Sequence, residues 1–250
     1  MKIDKVKKLR NGKYKLVFDN EENIVTYDDV IIDKMLFNGK EVTNEILSEI
    51  SINNKFYEIY NKILRMITIK WRSQKEIEEY LDKQEISEER KKMILIILTD
   101  NGLINDKRYA KAYANDAVNL HKHGPLKIKK DLSKQGISEE IIENVIYSLD
   151  PHVIEDNMVS IILKKNRLNH HYSAKFLKTK LSNELLELGY ERMKINEKLN
   201  MLIKNNPDIV RREYDKLYER YSKQYSGLEL KYKIKQALYL KGFEDYYDEY

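Results

Sequence analysis

The chain has 250 residues, 35% of them charged and 42% hydrophobic, with 8 Gly, 3 Pro, no Cys and a formal net charge of +5. So few turn residues disfavour an all-β fold and favour helix, and the absence of cysteine excludes disulfides, zinc–thiolate sites and thiol catalysis. The mild basic excess permits a nucleic acid or an acidic protein partner, and with no apolar run longer than Met93–Leu98 the expectation is a soluble, cytoplasmic protein without signal peptide or membrane contact.

Residues 1–27 read as strands. Tyr14, Leu16 and Phe18 alternate with Lys15 and Val17, Asn11-Gly12 fits a type I′ hairpin turn, and Ile24–Tyr27 fits a third strand. Two short helices are expected near 28–37 and 43–50. Residues 1–50 are thus a small β-rich extension that must lean on the helices after it, because so small a sheet is marginal alone.

From about residue 51 the chain reads as helix. Ser73-x-x-Glu76 is a capping box, Asp150-Pro151 and Asn206-Pro207 are N-cap and N1 proline pairs, and Ser87 and Ser138 each precede Glu-Glu. Residues 76–89 and 127–140 are near copies, identical at eight of fourteen positions at an offset of 51. The apolar pair recurs as Ile77/Leu81, Ile128/Leu132, Leu177/Leu181 and Leu230/Ile234, each followed by a turn and preceded by another apolar helix. Such periodicity marks stacked supersecondary units. The expected fold is mainly α: tandem three-helix repeats at 51–104, 105–150, 151–205 and 206–250, forming an elongated curved array.

Little here suits catalysis. His121/His123 and His170/His171 lack the convergent third and fourth ligands that a metal needs. Carboxylate groups such as Asp28-Asp29-Asp33 fit helix first turns, and no phosphate-loop, nucleophile-elbow or zincin motif occurs. No enzyme, metal or cofactor is expected. Trp71 and the tyrosine stripe Tyr214, Tyr218, Tyr221 and Tyr225 read as repeat core rather than as base-stacking platforms.

Charge is the better lead. Residues 151–205 hold ten basic and six acidic residues, most of the net excess. Within 157–183 lie Lys164, Lys165, Arg167, Lys175, Lys178 and Lys180 with no acid, and a second segment holds Lys122, Lys127, Lys129, Lys130 and Lys134 beside the single acid Asp131. Solvated faces ordinarily mix signs, so these eleven residues are the candidate contacts to a polyanion or acidic protein.

The junction of the first two units is more specific. Asn101-Gly102-Leu103-Ile104-Asn105-Asp106-Lys107-Arg108-Tyr109-Ala110 is followed by Gly124-Pro125-Leu126-Lys127-Ile128, Leu132 and Lys134-Gln135-Gly136-Ile137. This pattern resembles the RecX family, regulators of the RecA recombinase, most closely over 65–148. Gln135 stands where the family pattern has Lys, and Asn101 where an acidic approach is common. The resemblance implies a non-enzymatic, monomeric modulator whose three-helix units lie in the groove of the RecA–single-stranded-DNA filament and inhibit recombinase, ATPase and co-protease activity in recombination and repair. Gly102, Leu103, Asp106, Arg108, Tyr109, Gly124, Pro125, Ile128, Leu132 and Gly136 carry the motif. They read as structural: Asp106 as an N-cap, Arg108 as an inter-unit pair or outward group, and Gly136 as the positive-φ end of a helix. The alternative is a stand-alone DNA-binding repeat protein acting without RecA, and a third class is a purely protein-binding scaffold.

Overall fold

The computed structural model describes residues 1–243; the end of the fourth expected unit, 244–250, lies outside them. Two compact units divide the chain, Met1–Tyr109 and the residues from Ala110 onward.

The first unit opens with an antiparallel sheet of order β1 (Ile3–Lys8), β2 (Tyr14–Phe18), β3 (Asn23–Thr26). The pleat sends Ile3, Leu16 and Phe18 inward onto Val30 of α1 (Asp28–Asp33), Leu36, Val42 and Ile50. The first hairpin is not the type I′ turn. Leu9 N–H donates to Lys13 O and, of Asn11 and Gly12, only Gly12 has positive φ (83°). A three-residue loop with glycine in the left-handed position closes the strands instead.

The helix expected near 43–50 is the first part of a much longer one. Thr43 caps α2 (Asn44–Ile69), which runs 26 residues, through the expected boundary at 50/51, because no Gly or Pro interrupts it. Its Ile50 packs beneath the sheet. Further along the helix, Phe56, Ile59 and Ile63 pack instead with Ile77 and Leu81 of α3 (Gln74–Asp82), Ile94 and Leu98 of α4 (Glu88–Asp100), and Ile104. Buried Thr26 is satisfied from the same helix: its hydroxyl donates to Asn54 Oδ1 (2.7 Å), and Asn54 Nδ2 donates to Val25 O (2.9 Å). Trp71, expected in the core, is 45% exposed, since the backbone turns extended at Lys70 and carries it off the helix.

The second unit continues α5 (Asp106–Asn119), which straddles the division, with α6 (Pro125–Lys134) and α7 (Glu139–Tyr147). Then come α8 (Pro151–Arg167), α9 (Ala174–Glu187) and α10 (Arg192–Leu202), and finally α11 (Pro207–Tyr221) and α12 (Gly227–Leu240). All four recurrent apolar pairs are buried, each side chain contributing on the order of 1.5–3 kcal/mol. Two further buried leucines, Leu185 and Leu238, account for the extra turn of α9 and α12. Ser138 occupies the N-cap of α7 but makes no capping bond. In α11 Leu217 is core, Tyr214 and Tyr221 sit at its edge, and Tyr218 stacks on Tyr214 from outside (centroids 6.3 Å apart).

Candidate functional site

The helical groups of the second unit meet at glycines. Gly124 N–H donates to Leu188 O (2.7 Å) and Leu126 N–H to Gly189 O (3.0 Å). A Cβ on Gly124 would overlap the Gly189 carbonyl, and one on Gly189 would overlap the Lys127 backbone. Tyr190 is buried beside them and donates its hydroxyl to Lys122 O (2.8 Å); burial pushes that phenol up to about 12. The next junction repeats the plan: a Cβ on Gly242, at the end of α12, would press on Ser173 Oγ and Lys175 at the start of α9. In both, the C-terminal glycine of one middle helix seats on the N-terminus of the preceding middle helix.

This frame sorts the candidate lysines. Lys122 is not an outward contact: it has φ 54°, and its Nζ is spent on Ser160 Oγ (2.6 Å). Lys129 pairs with Glu139 (2.5 Å) and Glu143 (3.6 Å), a hydrogen bond to Glu139 raising its pKa. Lys165 pairs with Glu184 (2.9 Å), and Lys178 donates to Asn200 Oδ1 (3.0 Å). These four are held by partners on neighbouring helices, which a helical wheel cannot reveal.

The others form two groups. Lys127, Lys130 and Lys134 line a cleft of about 410 Å³ with Leu126 and Asp131, closed on its far side by Leu186, Glu187 and Gly189. Glu187 adds an acid that the sequence reading missed. Lys164 and Arg167 are exposed in the last turn of α8, where they also complement the helix dipole. Lys180 lies over the Tyr172 ring (5.1 Å) and Lys175 near Tyr239 (6.0 Å). Among the described residues, Lys127, Lys130, Lys164 and Arg167 have no carboxylate within ion-pair distance, and Lys130, Lys164 and Arg167 are exposed. Exposed Tyr172 and Phe176 add aromatic surface beside the second group.

His123 is half-buried and stacks on His121 (5.5 Å). Its Nδ1 is buried without a hydrogen-bond partner, and burial, then Lys127 and His121, lower its pKa. No group of His, Asp and Glu among the described residues is arranged to hold a metal, and no described helix is long and apolar enough to cross a membrane.

Comparison with known proteins places the chain. Residues 105–146, which span α5 to α7, match the family model "RecX, second three-helix domain". The chain is 31% identical to "Regulatory protein RecX" of Streptococcus gordonii over 99% of its own length and 96% of the relative's. The chain belongs to the RecX family. The RecX regulatory protein of Lactococcus lactis subsp. cremoris strain MG1363 is 32% identical over 97% of this chain and 93% of that one. The crystal structure of RecX from Lactobacillus salivarius superposes with a TM-score of 0.53 at 30% identity, covering 60% of this chain and 97% of that one. A second RecX crystal structure, at 23% identity, shares the fold with a TM-score of 0.64 over 78% of this chain and 97% of its own.

The RecX motif residues are largely architectural. Asp106 is not the cap of α5: Asn105 is, its Oδ1 accepting Arg108 N–H (2.9 Å). Asp106 reaches back instead to accept the Gln74 N–H (3.0 Å) at the start of α3. One repeat pair later, Asn205 accepts the Ala174 N–H (2.7 Å) at the start of α9 in the same way. Arg108 is exposed and makes no ion pair among the described residues. Tyr109 is buried, which pushes its phenol up to about 12. Gly102 and Gly136 have φ of 64° and 77°, and Ile128 and Leu132 are core.

Proposed function

We propose that this RecX-family regulator acts on the RecA recombinase as a non-catalytic monomer, binding the RecA–single-stranded-DNA filament and restraining its recombinase, ATPase and co-protease activities. The observation that carries the reading is the set of uncompensated cations Lys127, Lys130, Lys164 and Arg167 on the helical units of a chain that belongs to the RecX family. Exposed cations without partners contribute little to stability, so their presence is better explained by a partner than by folding. A polyanion within a protein filament, or acidic protein surface around it, suits them.

The test compares the wild-type chain with Lys127→Glu/Lys130→Glu and Lys164→Glu/Arg167→Glu. Each folded variant should need about tenfold more protein to halve RecA ATPase on single-stranded DNA, the scale expected when a few charge interactions are removed. Wild-type inhibition by both would remove these residues from the interface. Pulldown on filaments beside bare DNA at equal salt supplies the other arm: tighter binding to filaments supports the reading, and equal or tighter binding to bare DNA supports the stand-alone DNA-binding alternative.

A further inference from the structure

The outer face of the N-terminal sheet carries a charge pattern that folding does not require. Lys7 and Lys15 are direct cross-strand partners, and Lys5 lies opposite Val17 on the same face. Like charges set opposite one another destabilise a strand pair. Among the described residues none of the three has a carboxylate partner. Net charge conceals the patch: residues 1–18 hold seven basic residues and one acid, Asp4, whereas 19–50 hold two lysines and nine acids.

We propose that Lys5, Lys7 and Lys15 form a binding surface for the phosphodiester backbone of a nucleic-acid strand. Alternate residues on a strand lie about 6.7 Å apart and neighbouring strands about 4.8 Å apart, so the three ammonium groups make a flat, regular cationic array. Exposed Arg10 lies beyond it in the hairpin loop, while Lys8, paired with Tyr14, is on the opposite face. The remaining outward side chains, Val17, Val25 and Asn23, are small. They offer stems for lysine to lie along and nothing large or aromatic to enter a protein pocket or a lipid interface. A regularly charged strand fits such a face by complementarity alone. This surface belongs to the first unit, needs no RecA, and is independent of the lysines assigned above.

The experiment titrates the full chain into a labelled single-stranded oligonucleotide, read by anisotropy at several salt concentrations. Lys5→Gln/Lys7→Thr/Lys15→Gln should weaken binding about tenfold or more and flatten the salt dependence by about two, at roughly 0.7 for each phosphate no longer engaged. Its melting temperature should stay level or rise, because cross-strand repulsion is removed. Should the triple variant fail to fold, Lys7→Thr alone must still lower the salt slope by about 0.7. Lys127→Glu/Lys130→Glu must retain the share of binding that the sheet variant loses. Oligonucleotide affinity and slope unchanged in a folded sheet variant overturn the proposal, as does a loss confined to phosphatidylserine vesicles or to polyglutamate.

Discussion

Gly189 answers to two constraints at once. Its φ of 84° lies in the left-handed region, and the Lys127 backbone occupies the space a Cβ would need. Gly102 meets only the first: φ is 64° and nothing lies within 4 Å of its would-be Cβ. Gly102→Ala should therefore cost ~1–2 kcal/mol, and Gly189→Ala ~3 kcal/mol or more, because backbone cannot yield as a side-chain tip can. Urea denaturation of the two variants checks the ratio. Tyr190→Phe, which leaves Lys122 O without its buried donor, should cost ~1 kcal/mol by the same measurement. His123 brings pH into the same junction. Burial holds the folded histidine neutral below its ordinary range, so the unfolded chain takes up the proton first as pH falls below about 6.5. The contribution of the neutral ring is complete above that value and declines beneath it. The fall in urea midpoint between pH 7.5 and 5.5 should shrink in His123→Gln, the carboxylate contribution being common to both proteins. These residues also mark a limit of sequence reading. Gly124 looks like a mere helix start, and its need for closeness to Gly189, sixty-five positions away, has no local signature.

Helices carry the clearest part of the message in the sequence. The recurrent apolar pairs, the Ser73 box and the prolines at Pro151 and Pro207 indicate the right phase and the right starts, since each is set within four residues of chain. Anything decided between helices is hidden from it. Lys122, Lys129, Lys165 and Lys178 look outward on a wheel, yet each meets a group on an adjoining helix. Asp106 is misjudged in the same way, and Asn205 gives no sign of its role, since each satisfies a helix more than thirty residues upstream. Asn205→Ala and Asp106→Ala should each cost ~1 kcal/mol through the orphaned first-turn N–H. Arg108→Ala, on the same helix as Asp106 but exposed, should stay within ~0.5 kcal/mol. Chemical denaturation at a constant m-value separates the two outcomes.

For the whole molecule, charge and stability follow different rules. The ion pairs that the described residues make are mostly exposed, so screening them with salt should shift stability little. Partner binding through Lys130, Lys164 and Arg167 should by contrast fall steeply with salt. Melting temperature and filament affinity measured together between about 50 and 300 mM salt, a range over which the screening length shortens more than twofold, should diverge. Parallel loss of both would mean that salt acts through the fold. The family was legible from one junction, residues 101–137, because that stretch packs special backbone, caps and core into few positions. The cations proposed to meet a partner were legible only as a surplus, since surplus is a property of composition and pairing is a property of folded neighbours.

The long helix α2 has a consequence for the order in which the chain becomes protein. The sheet leaves the ribosome before α2, but its inner face has no cover until Ile50 has been made, and buried Thr26 waits for Asn54. At ~5–20 residues per second, the strands spend some seconds as an unclosed hairpin before α2 arrives. The same helix then commits Phe56, Ile59 and Ile63 to α3 and α4. The earlier-made sheet is thus completed by the segment that begins the next core, and the two mature as one step.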